Sequence, residues 1–227
     1  MTRTPFVLAI AGLFLLSAAR ADEVVLRDSR IVYGSVEERG ASVWIGTRTG
    51  EFVVPRSEIV RIRGRAELHA ELVGLASRCG KLSPFSCLHL AHTARDWDLA
   101  DDMWVYLDRA LGQQDMPDDV RERVDEFLGT LEPELLPRRH WKKSDPVKVR
   151  ELFHALPRSP SPARAAATAR VLARLEAVDA ELRKLARALV NPRHRAVANE
   201  ALWLRPEEAN RRFVLRTTVL DRDDEVR

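Results

Sequence analysis

The chain has 227 residues, of which 45% are apolar and 31% charged, the composition of a globular protein of one large domain or two small ones. Lys and Arg number 37 against 34 Asp and Glu, so the isoelectric point of about 9.1 reflects abundant Arg in a nearly neutral chain. A polyanion binder needs a concentrated basic face. The basic clusters here, Arg138 to Lys143 and Arg211-Arg212, are short and flanked by acids, which excludes nucleic acid as an expected partner.

Met1 to Thr4 is weakly basic, Pro5 to Leu16 is apolar, and Ala19-Arg20-Ala21 has the small-x-small pattern of a cleavage site. Residues 1–21 therefore read as a secretory signal peptide removed after Ala21, too short for a membrane span. With no Cys at that site, a lipoprotein anchor is not expected. Loss of Arg3 and Arg20 leaves 35 of the 37 basic side chains against 34 acidic ones, a formal charge of +1. The protein is expected to be exported, to the periplasm or beyond, with no membrane span after cleavage.

Residues 22–64 form the one β-rich stretch. Short β-branched runs at Glu23–Arg27, Ile31–Val36, Ala41–Ile45, Glu51–Val54 and Ser57–Ile62 are separated by Asp28-Ser29, Arg39-Gly40, Thr49-Gly50 and Pro55. That punctuation predicts an antiparallel meander of five strands, short enough to curl into a small barrel. Val25 to Ile31, Gly34-Ser-Val36 and Val54 to Ile62 resemble the small barrel modules of Sm-like or Src-homology type in exported bacterial proteins. Tyr33, Trp44 and Phe52 read as core and interface aromatics rather than as a peptide groove, since so small a barrel buries little surface of its own.

Residues 65–132 read as helical hairpins. Leu68, Leu72, Leu75 and Cys79 share a helical face that Gly80 ends. Ser83-Pro84 supplies an N-cap and a first-turn proline for the next helix. Asp98 caps Leu99 to Leu111, and Asp118 to Leu131 is a further helix that Pro133 stops. Leu90-Ala91, Trp97, Ala100 and Ala110-Leu111 resemble a tetratricopeptide hairpin, although Ala100 falls three residues early for that motif.

Cys79 and Cys87 are the only cysteines. In an exported protein they are expected to pair across the Gly80 to Pro84 loop and clamp the hairpin. The alternative is a metal site on Cys87, His89 and His92, with Asp96 close by in sequence. His89 and His92 lie one turn apart on a helix and are able to converge on one ion. No Cys-x-x-Cys, His-Glu-x-x-His or haem-attachment motif accompanies them.

Residues 133–146 are a proline-rich connector in which Trp141 anchors the loop. Residues 147–227 are again helical. Val149, Leu152, Phe153 and Leu156 point inward, and Ser161-Pro162 caps a helix with a small-residue stripe at Ala166, Ala169, Leu172 and Leu175. After Asp179 come helices to Val190, from His194 to Leu204, and from Glu207 to Leu220. Asn191 and Asp221, thirty residues apart, each open the turn after an apolar helix end. Asp221 to Arg227 and Asn191 to Val197 resemble HEAT repeats of the short bacterial kind. The resemblance implies an α-solenoid with a protein-binding concave surface and no catalytic residues. The last repeat is expected to be incomplete, because Arg227 falls where a second helix opens.

The predicted fold class is thus α+β, a small N-terminal antiparallel β-barrel followed by an all-α helical-repeat region. No catalytic constellation is legible: there is no Gly-x-Ser-x-Gly elbow, phosphate loop or dinucleotide fingerprint. His69 and His154 read as helix-surface histidines, and Asp101, Asp102, Asp118 and Asp119 as first-turn carboxylates. No cofactor is expected. The expected function is non-enzymatic protein binding, with the metal site as the alternative.

Overall fold

A computed structural model describes residues 22–47, 50–136, 138–140 and 142–225, with side chains as far as Thr217. The expected signal peptide and Trp141 lie outside the described residues. The fold is α+β, and the chain divides after Arg65 into two compact units.

The first unit is a five-stranded antiparallel sheet: β1 (Asp22–Leu26), β2 (Ile31–Arg39), β3 (Ser42–Gly46), β4 (Glu51–Pro55) and β5 (Ile59–Arg63), in the order β4-β3-β2-β1-β5. Alternation decides what is inside. Val24 faces Val32 on one side and Ile62 on the other, Val36 faces Ile45, and Val43 faces Val54. These residues share one face with the buried Leu26 and Ile59. The β2–β3 hairpin turns at Gly40, whose φ of 61° suits a residue without a Cβ. Gly34 serves another purpose, because a Cβ there would run into the carbonyl of Gly46 on the neighbouring strand.

Two expectations are corrected in this unit. The meander does not close into a barrel among the described residues: a 3-10 turn at Arg56–Glu58 carries the chain from β4 to β5, which pairs with β1 and leaves β4 as the opposite edge. Nor do the aromatics form the core. Tyr33 and Trp44 stand on the outer face through their pairing with Glu23 and Glu37, and Trp44 is 38% exposed beneath the Arg39 guanidinium. Phe52 pairs with Ile45 on the inner face but near the β4 edge, and it too is half exposed.

Ten helices follow among the described residues: α1 (Arg65–Arg78), α2 (Pro84–Asp96), α3 (Ala100–Leu111), α4 (Asp118–Gly129), α5 (Glu132–Leu135), α6 (Asp145–Ala155), α7 (Pro162–Arg174), α8 (Asp179–Ala188), α9 (Pro192–Trp203) and α10 (Glu208–Glu225). Two begin as the expected polar cap followed by proline, and α9 starts in the same way at Asn191-Pro192, where a turn and a later start at His194 were expected. The Ser83, Ser161 and Asn191 side chains each accept a backbone N–H of the first turn, with Pro84, Pro162 and Pro192 next in sequence. Pro133 does not simply stop α4. That helix ends at Gly129, and Pro133 sits in the first turn of α5, where a missing N–H costs nothing. The connector is therefore partly helical, with a second 3-10 turn at Arg138–His140.

In this unit α2 packs on α3, α8 on α9, and α6 and α10 both contact α8. α7 is the hub, touching α3, α4, α5 and α9. Its sequence suits that place, since Ala163, Ala167, Thr168, Ala169, Val171 and Leu172 are all buried and small side chains let helices approach on several sides. The expected stripe is thereby broadened, with Ala166 only partly buried. The turn expected at Asp221 is absent, because α10 runs unbroken through it to Glu225. The thirty-residue spacing lies instead between the caps of α7 and α9, Ser161-Pro162 and Asn191-Pro192.

Buried charge fixes the joints. Arg205, 8% exposed, donates to both oxygens of Asp179 (2.8 and 3.1 Å) and to the carbonyls of Ala173 (3.0 Å) and Leu175 (2.7 Å). The fully buried Asn210 donates to Asp179 and accepts from Arg183 at 2.9 and 2.6 Å. Partial burial pushes the Asp179 carboxyl up, but these donors outweigh it and hold the group below its usual range.

Candidate functional site

The cysteines and histidines singled out by sequence fall on two sides of α2. Cys87 is fully buried on the side facing α3, where it receives a 3.7 Å contact from Gln113 Nε2. Burial pushes its thiol pKa up. Cys79, in the turn after α1, is exposed, and neither cysteine is bonded to the other. The expected Cys79–Cys87 clamp is thus not formed in this structure.

His89 and His92 line a different surface, and Cys87 is not among the residues around it. The spacing explains the separation: on a helix two residues point well away from each other, whereas three or four share a face. Among the described residues no group of three His, Cys, Asp or Glu side chains is placed to hold a metal ion. The set Cys87, His89 and His92 is therefore not brought together.

What gathers around the two histidines is a cleft of about 450 Å³ between α2 and α4. Phe85, Leu88, His89, His92 and Arg95 come from α2, and Arg123, Glu126, Phe127 and Thr130 from α4. Each set follows the three- and four-residue spacing of a single helix face. The helices run in the same direction, since His92 meets Phe127 and Arg95 meets Thr130, pairs that are both 35 residues apart. α2 packs closely on α3 and α4 on α7, but α2 and α4 touch each other little. The space between them stays open.

The cleft has a floor, a closed end and a mouth. Leu88 and Phe127 are each 4% exposed and form the floor, and the His92 ring lies on Phe127 with centroids 3.9 Å apart and planes tilted by 38°. Partial burial lowers the His92 pKa, Asp96 acts in the opposite direction, and Arg95 and His89 lower it further. Arg95 closes one end. Its guanidinium donates to Glu134 (2.7 Å), the Thr130 hydroxyl (3.0 Å) and the Thr130 carbonyl (3.1 Å), and sits 5.3 Å from the Phe127 ring centroid. At the other end Phe85, in the first turn of α2, is 54% exposed. Arg123 and Glu126 stand exposed on the α4 rim, with no ion pair between them or to any other described side chain.

Half of this surface escaped the sequence reading. Phe127 is buried in α4, and its ring also forms the cleft floor. The available signal was Phe85 at the head of a row that continues through Leu88, His92 and Arg95, an aromatic on a face that α3 does not cover. His69, expected on a solvated face, is 2.9 Å from Asp102, joining α1 to the first turn of α3. His154 is exposed as expected. No helix among the described residues is long and apolar enough to cross a membrane. No protein-family model, no curated protein and no solved structure matches the chain.

Proposed function

We propose that this protein is an exported, non-enzymatic binding protein whose helical unit holds a partner protein in the cleft between α2 and α4. The observation that carries the reading is Phe85, a large aromatic 54% exposed at the mouth of a cleft with an apolar floor. Exposed aromatics beside such a floor are where interface energy concentrates. Export is supported by the basic, apolar and small-x-small order of residues 1–21.

The rest of the chain serves as scaffold in this reading. Residues 145–225 are a short HEAT-like stack, supported by the contacts of α6 and α10 with α8 and of α7 with α9, and by the matching caps thirty residues apart. The test is affinity capture from the exported fraction with the wild type and with Phe85→Ser. The wild type retains a discrete partner that Phe85→Ser loses by about tenfold or more, the usual scale for truncating an interface anchor. Equal retention by the two proteins contradicts the reading.

A further inference from the structure

The cleft carries information about the chemistry of what it holds. Its two guanidinium groups differ in what they are able to do. Arg95 is committed to Glu134 and Thr130, and its charge is matched inside the protein. Arg123 projects from the rim four residues before Phe127, on the same face of α4, and makes no ion pair among the described residues. A ring lying on the floor therefore has an uncommitted cation beside it. Glu126, also on the rim, is the one carboxylate lining the cleft. It stands on the same helix three residues from Arg123, and a ligand with alternating charge would satisfy both.

Resting on the protein-binding reading, we propose that the cleft is specific for a partner segment in which an aromatic or large aliphatic side chain is flanked by a carboxylate. The apolar side chain packs on Leu88 and the His92–Phe127 pair, against Phe85 at the mouth, and the carboxylate pairs with Arg123. The tilted imidazole offers a flat surface to a ring, and the geometry of the Arg123 fork suits a carboxylate. A lysine in the carboxylate's place would meet the Arg123 guanidinium at the rim, and like charges across an interface set specificity by repulsion.

The test uses two short N-acetylated, C-amidated peptides with the same Trp and Leu positions, one with Asp and the other with Lys at the positions between. Titrated against the full exported chain, the Asp peptide binds about fivefold tighter, the scale of one partly exposed ion pair. Arg123→Gln removes that preference, and Arg123→Glu reverses it. Phe85→Ala weakens both peptides by about fivefold without changing their order. Because Arg123 is exposed and unpaired among the described residues, both Arg123 variants keep the fold, with unchanged far-ultraviolet circular dichroism as the control. Equal binding of the two peptides, a preference that survives Arg123→Glu, or no binding of either at about millimolar concentration overturns the proposal. Partner capture that still depends on Phe85 alongside such a result removes only the acidic–aromatic specificity, whereas loss of both removes the binding role as well.

Discussion

Glu23 shows how a single charged residue specifies a register. It lies in β1 with its side chain 3% exposed, and its carboxylate receives Arg63 from β5 (2.6 and 2.5 Å), the Tyr33 hydroxyl from β2 (3.2 Å) and Arg61 from β5 (3.4 Å). It thus ties three strands together on the face opposite the apolar core. The Arg63 hydrogen bonds outweigh burial and lower the Glu23 pKa below its ordinary 4.5. A depressed carboxylate stabilises the fold fully above the unfolded-state value, and that contribution disappears as pH falls through the folded-state value. Glu23→Gln removes the charge but leaves Arg63 partly buried, and is expected to destabilise the sheet unit by about 3 kcal/mol at pH 7. The deficit relative to the wild type shrinks as pH drops below about 4.5. Hydrogen exchange of the β1 and β5 amides, measured at neutral and acidic pH, checks both the size and the sign.

At the scale of elements, the caps were the most readable feature and the packing partners the least. A polar cap followed by proline is a local signal, read from two adjacent residues, and it located the starts of α2 and α7, whereas Asn191-Pro192, expected as a turn, turned out to cap α9 in the same way. The turn expected at Asp221 failed because acidic residues alone do not stop a helix. Residues 221–225 contain neither Gly nor Pro, and α10 continues through them. The hub role of α7 was visible only as alanine content, since which helices use that small surface depends on the whole tertiary arrangement. Ala167, fully buried in α7, makes the point testable. Ala167→Leu adds volume where the helix has neighbours on several sides, and is expected to cost about 3 kcal/mol. The same change at the exposed Ala70 of α1 is expected to stay within about 0.5 kcal/mol. Chemical denaturation of the two variants, followed by circular dichroism, separates them. Similar midpoints for the pair would remove α7 from the centre of the packing.

For the whole molecule, the sequence conveyed the division into a β-rich and a helical part but neither the openness of the sheet nor the place of the cleft. The strand pattern is the same for an open sheet and a closed barrel, and what distinguishes them here is that the two edge strands, β4 and β5, do not pair with each other. The cleft is less legible still. It joins two faces 35 residues apart, and neither face alone is unusual for an amphipathic helix. His89 and His92 drew attention for metal binding, yet among the described residues no third ligand converges with them, and across the gap they face Phe127 and the rim of Arg123 and Glu126. The proposed role turns on whether that gap is occupied by another protein. A photo-reactive amino acid placed at position 85, in the cleft, and separately at position 105, where Val105 is 48% exposed on α3 but does not line it, tests this in the producing cell. One discrete adduct is expected from position 85, weakened by Arg123→Glu, with no matching adduct from position 105. The same adducts from both positions, or none from position 85, would contradict a partner seated between α2 and α4.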